Sequence, residues 1–240
     1  LRTDPADRWR SDPEPALARE FEVPGDRSLS VAVTVRVDQR ADDAELAGLL
    51  GWPAVASTRL LGRPEHAGVA ALDGDVDTTW ITGFDAAHGA TLTIDGVAEP
   101  VTQIAVQQPL AGFSVVTQIA LTGADGSIRA VTLVPDAAGV ARATVDPPLP
   151  AGPLTITLAD VEPAHTIDRR FGDEFELPAA ITEITLDGLP SLPDYSEPHA
   201  LTGCIAVATI DGNPIEFALT TGGAVTGPVW LGTRDLVALP

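Results

Sequence analysis

The chain has 240 residues, enough to bury a sizeable core without disulfide or metal staples. Its formal charge is −20, with 34 Asp and Glu against 14 basic residues that are all Arg, and such a chain repels phosphate, which argues against nucleic acid as a partner unless a basic stripe is hidden locally. The stretch from Pro64 to Ile128 holds eight Asp or Glu and no Lys or Arg, so calcium or neutral ligands suit it better, and the single cysteine, Cys204, excludes an internal disulfide framework and a cysteine-based zinc site.

The first 27 residues mix charges with Pro5, Pro13, Pro15 and Pro24 and read as an extended arm. Because the chain opens on Leu1 rather than Met, it is expected to be a piece of a longer protein, with any export signal or membrane anchor outside it. From Ser30 to Val37 valine occupies every odd position, the period-2 pattern of a half-buried strand. Asp42 followed three residues on by Glu45 predicts a capping box, Leu46, Leu49 and Leu50 share a helical face, and Gly51 supplies the stop. This short helix is expected to cross a sheet edge or link two units, and no chemistry is assigned to it.

Beyond it, Pro and Gly cut the sequence into strand-length pieces. Strands are predicted at 90–94, 101–106, 115–121, 128–134, 141–145, 154–158, 181–186, 205–210 and 215–219. Asp-Gly pairs at 95–96, 125–126, 187–188 and 211–212 are expected to form hairpin turns, which need positive φ. Many short strands without alternating helices mean an all-β sandwich or barrel. The Pro-rich joint from Leu189 to Pro193 marks a boundary. The expected organisation is an arm over 1–27, a strand and helix of a flanking β-unit over 28–51, a sandwich domain over 52–190, and C-terminal strands of the flanking unit over 191–240.

The most specific local signal runs from Ala70 through Leu72-Asp73-Gly74-Asp75-Val76-Asp77-Thr78 to Trp80. Carboxylates at alternate positions, a glycine for the turn and a following hydroxyl make an oxygen-rich loop suited to Ca²⁺. It is not an EF-hand, since the sixth loop position is Thr78 instead of Gly and the twelfth is Phe84 instead of Glu. The run from Ala71 to Trp80 resembles the opening mark of the discoidin family, also called coagulation factor 5/8 type C, and of family 32 carbohydrate-binding modules. Ala90–Asp95 resembles the strand that follows in that family, and Ile181–Leu186 its closing strand. The resemblance covers about 52–189 and implies a jelly-roll β-sandwich.

It also implies a structural calcium ion between the first loop and the last strand. The ligands carried over are a carbonyl of Ala71 or Leu72, the side chain of Asp73, an oxygen of Asp75, the carbonyl and hydroxyl of Thr78, and Glu183. Independently, Asp73, Asp75 and Glu183 crowded together would repel unless neutralised. In this family the tryptophan at position 80 is core, and ligands are met by loops at one end of the sandwich. The candidates there are Arg63, Glu65 and His66 before the motif, Phe84 and His88 after it, and His165, Arg169, Arg170 and Phe171 in a late loop that combines polar donors with an aromatic ring.

No Gly-x-Ser-x-Gly elbow, His-Glu-x-x-His pair or phosphate-binding glycine loop occurs, so no enzyme active site is expected in these residues. The order of arm, valine-rich strand, short helix, discoidin-like domain and Cys-containing segment, in a chain without Lys, resembles the extracytoplasmic part of the actinobacterial α-(1→3)-arabinofuranosyltransferases. The expectation is a non-catalytic, calcium-braced carbohydrate-binding module, extracytoplasmic and tethered through the rest of a larger membrane-anchored protein, binding a neutral cell-wall polysaccharide and not itself inserted in the membrane. The alternative is a structural or protein-interaction sandwich that has lost its ligand loops.

Overall fold

The structure, a computed structural model, describes residue 25 and residues 40–192, 204–210, 212–221 and 236–239. The arm and the valine-rich stretch at 30–37 lie outside these residues. Compact units divide the chain into Arg40–Asp194 and a second one formed from both ends, Leu1–Gln39 with Tyr195–Pro240.

In the larger unit, α1 spans Asp43–Leu50, and both halves of its capping box form: the Asp42 carboxylate accepts from the Glu45 amide at 2.8 Å and Glu45 accepts from the Asp42 amide at 3.0 Å. Gly51 ends the helix in the left-handed conformation at φ 67°. Leu46, Ala47 and Leu50 are buried and the helix packs on β1 (Ala54–Ala56), so it belongs to this unit and not, as its sequence position suggested, to the flanking one. The physical tie is Asp43, whose buried carboxylate accepts from the amides of Ala56 and Gly68. Burial raises its pKa against the lowering effect of those amides and of Arg59.

Two antiparallel sheets enclose the core. The first has the order β1, β3 (Thr91–Val97), β8 (Gly152–Glu162), β5 (Val115–Thr122), β6 (Ile128–Thr132). The second has the order β12 (Glu183–Leu186), β4 (Val101–Gln107), β7 (Val140–Leu149). Alternation sends Leu92, Ile94, Ile119, Leu121, Leu154, Ile156 and Leu158 inward from one sheet and Ile104, Val106, Ile184 and Leu186 from the other, as aligned sheet packing requires. This is the expected all-β sandwich.

Smaller ladders join β2 (Trp80–Ile81) to β11 (Ala180–Ile181) and β9 (His165–Ile167) to β10 (Glu174–Glu176). Asp95-Gly96 does not form the expected hairpin turn. It lies inside β3, where Ile94 faces Leu154 and Val97 faces Gly152, so β3 carries one residue too many and bulges. Asp125-Gly126 does make the β5–β6 turn, with Gly126 at φ 78° and the Asp125 carboxylate accepting from the amide and hydroxyl of Ser127.

In the other unit, β13 (Ile205–Ile210), β14 (Asn213–Thr221) and β15 (Leu236–Leu239) form an antiparallel sheet in that order. Among the described residues no helix is long and apolar enough to cross a membrane.

Candidate functional site: the loop end of the sandwich

The loops before β3, between β4 and β5 and before β7, with the segment before β11, are tied to one another at one end of the sandwich. Thr82 donates from its amide to the Ala179 carbonyl at 3.0 Å, Ser114 to that of Pro178 at 3.0 Å, and Gln108 to that of Gly139 at 2.9 Å. The Gln108 side chain closes both hydrogen bonds to Val116, at 2.8 and 2.9 Å, and so links β4 to β5 across the two sheets. Gly139 can have no side chain here, because a Cβ would stand 2.3 Å from the Gln108 carbonyl oxygen.

The acidic loop, Leu72–Thr79, enters this end from a 3₁₀ turn at Gly68–Ala71 and leaves into β2. Trp80 is fully buried and donates from Nε1 to the Thr58 carbonyl at 3.0 Å, so it is core. Because Ile181 pairs with Trp80, the loop is held beside the start of β12, where Glu183 stands. The Glu183 carboxylate accepts from the Gly74 amide at 2.9 Å, a contact across 109 residues of sequence.

Within the loop, the Asp73 carboxylate accepts from the Asp75 amide at 2.8 Å and from the Thr78 hydroxyl at 2.7 Å. That hydroxyl also lies 2.8 Å from the Asp75 carbonyl oxygen and 3.3 Å from that of Ala70. A hydroxyl has one proton, so three acceptor oxygens converge on a donor that satisfies one of them well. Asp73 is pushed up to about 6, first by burial and also by the Asp75 charge. Glu183 is pushed up to about 7, first by burial and then by the Asp73 charge.

The corner is thus crowded with oxygens and short of positive charge, and this donor set fits a hard cation. It consists of two carboxylates with carbonyls and a hydroxyl. Among the described residues no three His, Cys, Asp or Glu side chains form a metal cluster. The Asp75 carboxylate caps the Asp77 amide at 3.0 Å, so this residue offers its carbonyl to the corner. The carbonyl drawn to the Thr78 hydroxyl is that of Ala70, one residue before the Ala71 that the resemblance implied.

The ligand candidates divide into two groups. Phe84, half-exposed on the loop after β2, meets Phe175 of β10 edge to face, with centroids 5.6 Å apart and planes at 74°. This contact brings Phe84 to the β9–β10 hairpin, which carries His165 on β9 and Arg169, Arg170 and Phe171 on its turn. The Asp168 carboxylate shapes that turn by accepting from the Arg170 amide at 2.6 Å. The Arg170 guanidinium lies 5.2 Å from the centre of the Phe171 ring, which is 69% exposed. His88 is exposed on the Phe84 loop.

Arg63, Glu65 and His66 lie on and beside a 3₁₀ turn at Pro64–His66 that packs on β2. His66 buries its Nδ1 without a hydrogen-bond partner among the described residues, and burial with the nearby Arg63 lowers its pKa. It therefore turns inward. Phe175 was missed in the sequence, and only its aromatic character in a polar stretch could have drawn attention to it.

No family model matches the sequence, and no curated protein matches it. Among solved structures, the arabinofuranosyltransferase AftD from Mycobacteria aligns with 81% of this chain and 18% of its own, at TM-score 0.56 and 18% identity. A mutant of that enzyme aligns over 82% and 16%, at TM-score 0.53 and 20% identity. The family 32 carbohydrate-binding module of C. perfringens NanJ, solved with galactose, aligns over 55% of this chain and 90% of its own, at TM-score 0.40 and 20% identity. The fold of this chain is thus similar to part of AftD, of which it spans less than a fifth of the length.

Proposed function

We propose that this chain is the non-catalytic carbohydrate-binding part of a cell-envelope arabinofuranosyltransferase, braced by one calcium ion and binding a neutral arabinan-type glycan or acceptor at its loop end. The observation that carries the reading is the meeting of Phe84 with Phe175, which gathers aromatic faces, guanidinium donors and His165 at one end of a rigid sandwich. Apolar rings beside a few polar groups are what a sugar needs, with one face of C–H bonds and a rim of hydroxyls. The fold shared with AftD and the motif's resemblance to carbohydrate-binding modules support the same reading. The location proposed with it is extracytoplasmic, tethered through the rest of a membrane-anchored protein.

Calcium would be held by the side chains of Asp73 and Glu183, the carbonyls of Ala70 and Asp75, and the oxygens of Thr78. When bound it supplies charge neutralisation and no reaction chemistry. The chain's own part is to join the loop that opens the sandwich to the strand that closes it.

Calorimetric titration of arabinan and galactan tetrasaccharides into calcium-loaded protein tests the reading. Saturable heat is expected, and silence with both sugars would overturn it. A structural or protein-interaction role is favoured instead by Leu110 and Val134, which are 73% and 77% exposed on loops of the same end. It is the reading that remains if no sugar binds.

A further inference from the structure

The outer face of the β12–β4–β7 sheet holds a trough of about 370 Å³ that begins at Thr185, two residues along β12 from Glu183, and takes no residue from the aromatic hairpin. Its residues follow from strand alternation. While Ile104, Ile184, Leu186 and Ala141 point into the core, Gln103 and Ala105 of β4, Arg142 and Thr144 of β7, and Thr185 of β12 point out, with Asp187 just beyond. Thr185, Ala105 and Arg142 stand in one cross-strand row, and Gln103 pairs with Thr144 in the next. Ala105, at the centre, leaves the floor open between longer neighbours.

We propose that this trough is a second glycan-binding site, taking a neutral segment of about two sugar units laid across the three strands. The inference rests on the carbohydrate-binding role proposed above and adds a surface to it. Three strands span roughly 10 Å and successive outward rows lie roughly 7 Å apart, which suits a short run of furanose or pyranose rings. The volume falls within the roughly 300–1,000 Å³ of small-molecule sites.

The lining fits hydroxyl groups. An amide and two threonine hydroxyls both donate and accept, the guanidinium donates and the carboxylate accepts, matching partners that must do both. Arg142 is balanced by Asp136 and the trough keeps the charge of Asp187, so it does not select an anion. It has no aromatic wall, so hydrogen bonds, and not stacking, would read the ligand.

Two of these groups are already held in place. The Asp187 carboxylate accepts from the Thr102 hydroxyl at 2.6 Å and from the Gln103 amide group at 3.4 Å. Those bonds also keep it below its ordinary pKa, so it remains an acceptor at neutral pH. Arg142 donates to Asp136 at 3.1 Å. Groups ordered before binding lose less freedom when the ligand arrives.

The test is a ¹H–¹⁵N NMR titration of the whole chain with arabinan and galactan tetrasaccharides, run on the wild type, on Phe84→Ala, and on the double variant Gln103→Ala/Thr144→Ala. All changes outside Phe84 are at exposed sheet positions, which keeps the fold intact. The inference expects saturable shifts at 103–105, 142–144 and 185–187 that persist in Phe84→Ala and weaken about tenfold in the double variant. Shifts confined to 82–88 and 165–175 would overturn the trough and leave the loop-end reading standing. Shifts in the trough alone would uphold it and overturn the loop end as the binding surface. No shift with either sugar would overturn both.

Discussion

The acidic corner and the aromatic hairpin lie on loops of the same sandwich, and they are built on opposite principles. The corner half-buries its carboxylates and closes a contact across 109 residues, from Gly74 to Glu183. The hairpin exposes its apolar ring, with Phe171 69% open to water, and its own hydrogen bonds are local. Burying like charges together costs stability unless a cation offsets it. Exposing an aromatic ring forgoes the stabilisation that burial would give. Under the proposed function the first arrangement serves as a brace for an ion and the second as a surface for a glycan.

The largest perturbation should abolish the distinction by removing what both regions rest on. Trp80 connects the acidic loop to β11 and is fully buried, so Trp80→Ala is expected to cost about 3–5 kcal/mol, measured by urea denaturation. Next comes the ion. At a hundredfold excess over its Kd, Ca²⁺ should stabilise the EDTA-treated wild type by about 2.7 kcal/mol, read as a rise in melting temperature. Glu183→Gln should show no such rise, and without calcium it should melt no lower than wild type, because it removes one of two repelling carboxylates.

Phe84→Ala should cost about 1 kcal/mol of stability, the scale of one edge-to-face pair, and leave the calcium response intact. The calcium-free protein also answers to pH. Asp73 and Glu183 have folded-state pKa values of about 6 and about 7, above their ordinary 3.8 and 4.5. The folded state therefore holds more protons than the unfolded one between these limits, and stability falls as pH rises. The contribution is full below about pH 4 and lost as the pH passes through 7. A melting temperature lower at pH 8 than at pH 5 is expected in EDTA, with the difference reduced in Glu183→Gln.

The corner was more legible in the sequence than the hairpin, and the reason is physical. A turn that gathers oxygens needs particular residues at fixed spacing, so Asp73, Asp75 and Thr78 stand out, whereas Glu183, more than a hundred positions away, was reached only through the family resemblance of the closing strand. The core strands were readable because a buried face imposes a period. The hairpin strands are three residues each, His-Thr-Ile and Glu-Phe-Glu, too short and mixed to carry a period, and Phe175 gains its meaning only from Phe84, 91 positions away. Asp95-Gly96 misled because the dipeptide that suits a turn also suits a bulge. The trough residues have no signature at all, since an outward polar residue on a strand looks the same whether it faces water or a ligand.

The most direct test of the division between brace and surface is calorimetric titration of arabinan tetrasaccharide into wild type, Phe84→Ala and Glu183→Gln, all at one calcium concentration and each kept well below its melting temperature. The account predicts that Phe84→Ala weakens binding at the loop end at least tenfold, about 1.4 kcal/mol, while Glu183→Gln binds as wild type does. Equal binding in wild type and Phe84→Ala, or loss in Glu183→Gln alone, would contradict it.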